Sequence, residues 1–330
     1  MTAIFAGGGN WLDNAINVGL YPRIGRTPTG VTTRANARVT SGSGYVQENL
    51  SFWTGRLLVS GGLRFDEFRY VVDGISQLAG RWQGKGAVAY TPLRRLPVSL
   101  HLNYGRGINS ADARGVIQRP EQSRLATTDF YQAGFATHLQ RLSLSGDFFL
   151  IDNSNAMVYI PDDGSFELKG PSRAYGFEAK ASLQLTRRFA MNGGLTKVGN
   201  AFYRGTSPAR IYIDSAPRFV ANAGVTMTPW HGWSGSLRMR AINHYRLDGE
   251  DPSIAAAGHT VFDMGVSKQV YRRAEFSVSF DNFTNRSYFE TQNYFESRAR
   301  PTVPVVARIH GTPGYPLTVT TGVTFRFGAK

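Results

Sequence analysis

This 330-residue chain carries 6 His, 23 acidic and 37 basic side chains and no Cys. That excludes a disulfide scaffold and a thiolate metal site. His101, His138, His231, His244, His259 and His310 are scattered, and none stands at the short spacing that aims two imidazoles at one metal. No Gly-x-Ser-x-Gly elbow presents a nucleophile. Gly84-Lys85-Gly86 is a glycine pair at a strand start and lacks the spacing of a phosphate loop. No catalytic residue, metal or cofactor is expected, although a Ser/His/Asp triad assembled from distant segments, as in barrel lipases, stays open.

Binding chemistry remains. Guanidinium forks grip anions through paired donors, and 31 of the 37 cations are Arg. Two stretches join such forks to aromatic surface and are the candidate ligand contacts. One holds Tyr104, Arg106, Arg114, Arg119 and Arg124; the other holds Tyr288, Tyr294, Phe295, Arg298, Arg300 and Arg308. A separate set, His101, Asn103, Glu178, Lys180, Arg218, Asn222, Arg238, Arg240 and His244, falls opposite apolar positions of alternating segments. Hydrated or salt-bridged wall and a basic lining for an anionic ligand both fit that set. The Arg residues are spread along the chain in ones and twos, unlike the clustered footprint of a nucleic-acid binder. No nucleic-acid partner is expected. The pairs Arg94-Arg95, Arg187-Arg188 and Arg272-Arg273 fall in short connections and belong in water or near headgroups.

The elements that must position these groups are strands. Leu317, Val319, Thr321, Val323, Phe325 and Phe327 alternate with Thr318, Thr320, Gly322, Thr324 and Arg326. The same period of two recurs around Tyr175–Thr186, Arg218–Thr228, Trp233–His244, Val98–Gly105 and Leu57–Asp66. No stretch keeps a helical period, and no apolar run is long enough for a membrane helix. Mean hydropathy is -0.26, as expected when two opposite faces are averaged. Strands are expected near 12–21, 45–53, 56–69, 84–92, 97–106, 128–139 and 141–152. Others follow near 173–186, 188–198, 218–228, 233–245, 259–270, 274–283 and 316–327, about 14 in all.

Connections alternate between tight turns and long polar stretches, near 70–84, 106–127, 153–172, 199–217, 246–258 and 284–315. Short turns at one end, long loops at the other and strands long enough for a tilted crossing predict an all-β, antiparallel up-and-down transmembrane β-barrel. Trp53, Phe189, Trp230 and Trp233 near short turns, with Tyr70, Tyr104, Tyr175 and Tyr245 near long loops, suit interfacial girdles.

Four motifs, in order, resemble the TonB-dependent outer-membrane receptors. Tyr45-Val46-Gln47-Glu48-Asn49-Leu50 with Leu57–Asp66 is similar to that family's paired strands. Ala89-Tyr90-Thr91-Pro92, Leu102–Arg106 and Ser110–Gly115 resemble its next hairpin and loop. Phe280–Arg286 with Tyr288 and Glu290 looks like its penultimate-strand motif, and Gly314-Tyr315-Pro316 with Phe325-Arg326-Phe327 like its last strand. The likeness spans roughly 29–327. Family barrels have about 22 strands around a plug, so residues 1–330 are expected to be a partial receptor-like barrel domain without the plug, the energy-coupling box or a signal peptide.

The resemblance implies an outer-membrane receptor barrel of a Gram-negative cell, serving active uptake of a siderophore-like, vitamin or glycan ligand. TonB would energise it only in an intact protein with a plug. The other partners expected are outer-membrane lipid, lipopolysaccharide and the barrel-assembly machinery. The alternatives are a self-contained 14-stranded porin-like or hydrophobic-substrate channel, an outer-membrane barrel lipase and a soluble basic β protein.

Overall fold

The computed structural model describes residues 36–93, 95, 97–110, 125–155, 157–160, 165–205, 211–271, 273–297 and 303–327. In chain order its strands are β1 (Ala37–Phe52), β2 (Leu57–Val72), β3 (Ile75–Tyr90), β4 (Val98–Ser110), β5 (Leu125–Leu139) and β6 (Leu142–Asn153). There follow β7 (Met157–Ile160), β8 (Ser165–Leu168), β9 (Ser172–Gln184), β10 (Phe189–Tyr203), β11 (Phe219–Trp230) and β12 (Trp233–Ile242). The last are β13 (Tyr245–Arg246), β14 (Ala255–Ala256), β15 (His259–Tyr271), β16 (Ala274–Asp281), β17 (Phe289–Ser297), β18 (Val306–Pro313) and β19 (Thr318–Phe325).

Thirteen of them form one antiparallel sheet in the order β1-β2-β3-β4-β5-β6-β9-β10-β11-β12-β15-β16-β19, and the other six pair as three hairpins in its long connections. Each sheet strand overlaps one expected segment from 45–53 onward; the expected strand at 12–21 lies outside the described residues. The stretch 70–84 differs from expectation. It is no loop: β2 and β3 stay paired from Leu57↔Tyr90 to Val72↔Ile75 and turn at Asp73-Gly74. Both turn residues have positive φ, 48° and 85°, the geometry of a tight hairpin turn with the strands' own twist. Its polar composition suggested a loop, but polar residues also suit a ladder standing in water.

Register sorts the side chains into two faces. Phe177, Leu195, Val225 and Leu237 share the apolar face with Phe148, Met264 and Val323. Opposite them stand Lys180, Asn222, Arg238 and Asp263. Aromatic side chains border the apolar belt at both ends. Near the short turns, Arg188 stacks 5.4 Å from the Trp230 ring centre and Lys268 4.8 Å from that of Trp233, while Trp53 meets Tyr90 edge-on at 6.0 Å. Near the long loops, Tyr104, Tyr131 and Tyr175 face the same way. From Tyr175 to Leu185 is about 33 Å along a strand, or about 25 Å once tilted by about 40°, the height of a membrane belt. Glu48 breaks the sorting, standing on the apolar face beside Gly61; nothing in the structure explains it.

Above the belt the polarity of β2 inverts. Leu57, Val59, Leu63 and Phe65 give way on their face to Glu67 and Arg69, while Ser60, Arg64 and Asp66 give way on theirs to Phe68, Tyr70 and Val72. Tyr70 and Val72 are buried, packed with Phe68 and Ala79. Tyr70, expected in the girdle, is thus the centre of a small core in a projecting hairpin.

A second anchor holds the β17–β18 hairpin to the sheet. Asn282, 1% exposed, donates its amide to the carbonyls of Arg286 (2.8 Å) and Tyr315 (2.9 Å), and accepts from the Arg286 N–H (2.9 Å). Its own N–H donates to Asp263 at 3.0 Å. Tyr288 donates to Glu290 at 2.6 Å and lies against the His259 ring; Gln292 accepts from the Ala257 N–H. A methyl group on Gly314 would sit 2.2 Å from the Tyr288 ring, so only glycine lets the chain pass there.

Two outcomes test this architecture. Val225→Arg, in mid-belt, should destabilise the barrel by about 2–4 kcal/mol, whereas Thr226→Arg on the other face should change little, measured by urea unfolding in lipid vesicles. Asn282→Ala removes three hydrogen bonds from a residue at φ 49° and should cost about 2–3 kcal/mol. Together with Gly314→Ala it should expose β17 and β18 to protease, while Thr312→Ala leaves the digestion pattern unchanged.

Candidate functional site: the polar wall of the sheet

The alternation that makes one face apolar gathers the polar side chains on the other, where three groups meet. Asn103 Nδ2 donates to Gln132 Oε1 at 3.0 Å. One row along, His101 Nε2 lies 2.5 Å from Asp147 Oδ1, although β5 runs between their strands. The pair crosses over Gly134, where a Cβ would come 2.3 Å from the same carboxylate oxygen. Glu178 stands directly opposite Asp147 in register and approaches Lys180 at 3.7 Å.

Lys180, Gly194, Asn222 and Arg240 occupy successive positions of one row across β9 to β12. Lys180 and Asn222 border a shallow groove of about 430 Å³ with Ser145, Ser182 and Asn192. Gly194, between Lys180 and Asn222 in the row, contributes no side chain and leaves the groove open there. On the next strands Arg238 binds Asp263 at 2.7 Å and Arg240 approaches the same carboxylate at 3.3 Å. Arg240 also reaches Glu290 on the folded-in hairpin at 3.7 Å. Burial, then the Glu290 bond, pushes the Tyr288 hydroxyl up, so at neutral pH it stays protonated and donates to Glu290.

The candidates from sequence therefore divide. His101, Asn103, Glu178, Lys180, Asn222, Arg238 and Arg240 stand together on the polar wall. Arg218 and His244 lie just beyond the ends of β11 and β12; the Arg218 guanidinium donates to Gly199 O (2.5 Å) and Asn200 Oδ1 (2.9 Å).

Tyr104 and Arg106 are on the apolar side, in register with Tyr131 and Asp129. Asp129 takes the Tyr104 hydroxyl at 2.9 Å and both Arg106 donors at 2.8 Å. The adjoining Arg173–Asp152 pair repeats this fork at 2.7 and 2.6 Å. Tyr294 alternates with Phe295 on β17, so the two take opposite faces of the hairpin. Arg114, Arg119, Arg124, Arg298 and Arg300 lie outside the described residues, as do Arg94 and Arg272 of the turn pairs.

Sequence reasoning missed Asp147, Asp263 and Gly134. The two acids occupy polar positions of alternating segments and could have been included on that ground. Nothing local marks Gly134, because its role depends on strands to either side.

The chain matches a family model described as TonB dependent receptor-like, beta-barrel, over residues 3–285. No curated protein matches it in sequence. Among solved structures it is similar to the copper transporter OprC, with TM-score 0.71, 17% identity and 88% of this chain against 48% of that one. It is also similar to the ferric-catecholate import receptor Fiu from E. coli K12 in its closed form (0.69, 15%, 89% against 45%). A third is the unliganded ferric citrate transporter FecA (0.68, 15%, 88% against 45%). At these identities the likenesses show the fold alone, and the chain spans less than half the length of each of the three. The family match over most of its length and the two-faced antiparallel sheet agree: this chain belongs to the TonB-dependent receptor-like β-barrel family.

Proposed function

We propose that the chain forms part of the wall of an outer-membrane uptake receptor, with its apolar face toward lipid and its polar face lining the lumen. The observation that carries this is the row Lys180–Gly194–Asn222–Arg240, with Arg238 beside it, directly behind the apolar face of β9 to β12. A polar row of this kind is stable only where water or ligand reaches it. Lys180, whose side chain is 69% exposed, carries a cation held only at 3.7 Å by Glu178, so it stays available to an anion.

Such a lining suits an anionic small molecule, a siderophore-like metal chelate ahead of a vitamin or glycan. The carboxylates beside the cations let the ligand exchange partners along the wall rather than stay fixed at one site. Support for metal cargo is the company the fold keeps: the neighbours' names refer to copper, ferric-catecholate and ferric citrate. Energy would come from TonB in the intact protein, as the family's name implies. The function proposed is transport.

The test is uptake of radiolabelled ferric chelates by cells carrying the intact receptor. Lys180→Ala with Asn222→Ala should lower uptake about tenfold, the loss expected for one charge-assisted hydrogen bond and its neighbour. Wild-type uptake should also stop when the inner-membrane proton gradient is collapsed. Uptake that persists without the gradient would favour the passive channel instead.

A further inference from the structure

The apolar face carries a basic cleft that lumen transport does not use. Lys197 stands in register with Phe177 and Phe219, two members of the apolar belt. Gly199 is then skipped in the pairing, so Asn200 opposes Tyr175 and also faces outward. Arg218 is drawn to that side by its bonds to Gly199 O and Asn200 Oδ1. Beyond it, His244 and Arg246 complete the lining of a cleft of about 460 Å³.

No carboxylate lines this cleft among the described residues. Arg218 is positioned by a carbonyl and an amide, and Arg246 by the Tyr212 ring at 4.5 Å, partners that fix a guanidinium without cancelling its charge. Asp251, in the same connection, turns its Oδ1 to the Ser253 N–H and hydroxyl at 2.8 and 2.7 Å. Arg106 and Arg173, elsewhere on the same face, make the contrast, since each is neutralised by its own Asp. The cleft's height matters as much as its charge. Lys197 is level with Phe177, one outward position below Tyr175, so the cationic groups stand where hydrocarbon meets water.

We propose that this cleft binds the phosphate of a phosphorylated outer-leaflet lipid, whose acyl chains run down the apolar face over Phe177 and Phe219. Two guanidinium forks and an ammonium match a phosphate's several acceptor oxygens, and the apolar belt below matches the chains. A free phosphate would use only the upper half of the site. The proposal rests on the lipid-facing reading of the apolar face, which detergent dependence of the purified protein tests separately.

The experiment is native mass spectrometry of the intact receptor in phosphate-free detergent, titrated in turn with bisphosphorylated lipid A, with dephosphorylated lipid A and with inorganic phosphate. Lipid A should bind at least about tenfold more tightly than its dephosphorylated form, and inorganic phosphate should neither be retained nor displace it. Lys197→Ser with Arg246→Ser should remove that preference, while Arg173→Ser keeps it. The comparison of lipids needs no variant, so a misfolded mutant would leave the test standing. Equal binding of the two lipids, or a preference unchanged in the double variant, would overturn the proposal. Equal retention of inorganic phosphate would overturn its lipid part. A protein that stays monodisperse without detergent would fail at the earlier step, the membrane reading itself.

Discussion

A strand crossing hydrocarbon has to spend its backbone N–H and C=O groups on its neighbours, because the solvent offers them nothing. In this chain that constraint is met by one ladder running from β1 to β19 through successive antiparallel pairs. Everything else follows from it. A continuous ladder fixes which residues share a face, so a period of two in the sequence becomes an apolar belt on one side and a polar wall on the other. The polar wall is not an added feature but the unavoidable reverse of the belt, and its side chains are not needed to hold the strands because the ladder already does so.

The same logic explains where the sorting stops. Past Phe65 the apolar run on that face of β2 ends in Glu67 and Arg69, while Phe68, Tyr70 and Val72 stand on the other face and form a small core. At the far end of the sheet the long connection after β16 is folded back on the wall and pinned through Asn282, Tyr288 and Glu290. The first of these structures is held by its own ladder and small core, the second by a few specific polar contacts at a strand end. Those contacts are local, and they leave the hairpin's outer face open.

Much of this was legible in the sequence. Alternation alone located the thirteen sheet strands, and four ordered motifs pointed to the family. Register supplied what alternation could not. His101 and Asp147 are 46 residues apart and meet only because Gly134 stands between them with no side chain. Tyr104 and Arg106 read as ligand contacts from their company, yet they continue the outward face of β4 and are committed to Asp129, an acid on another strand. The 70–84 stretch was misread for a related reason: polar composition describes the solvent around a segment, not whether its backbone is paired.

The paired extension of β2 and β3 has a consequence of reach. From Phe65 to the Asp73-Gly74 turn the ladder rises about 25 Å along the strand, more than the belt's own edge needs. A ladder of that length, stiffened by its own small core, holds its tip well clear of the belt. Being a two-residue turn between paired strands, the tip is a natural point at which a foreign epitope could be displayed without disturbing the belt below.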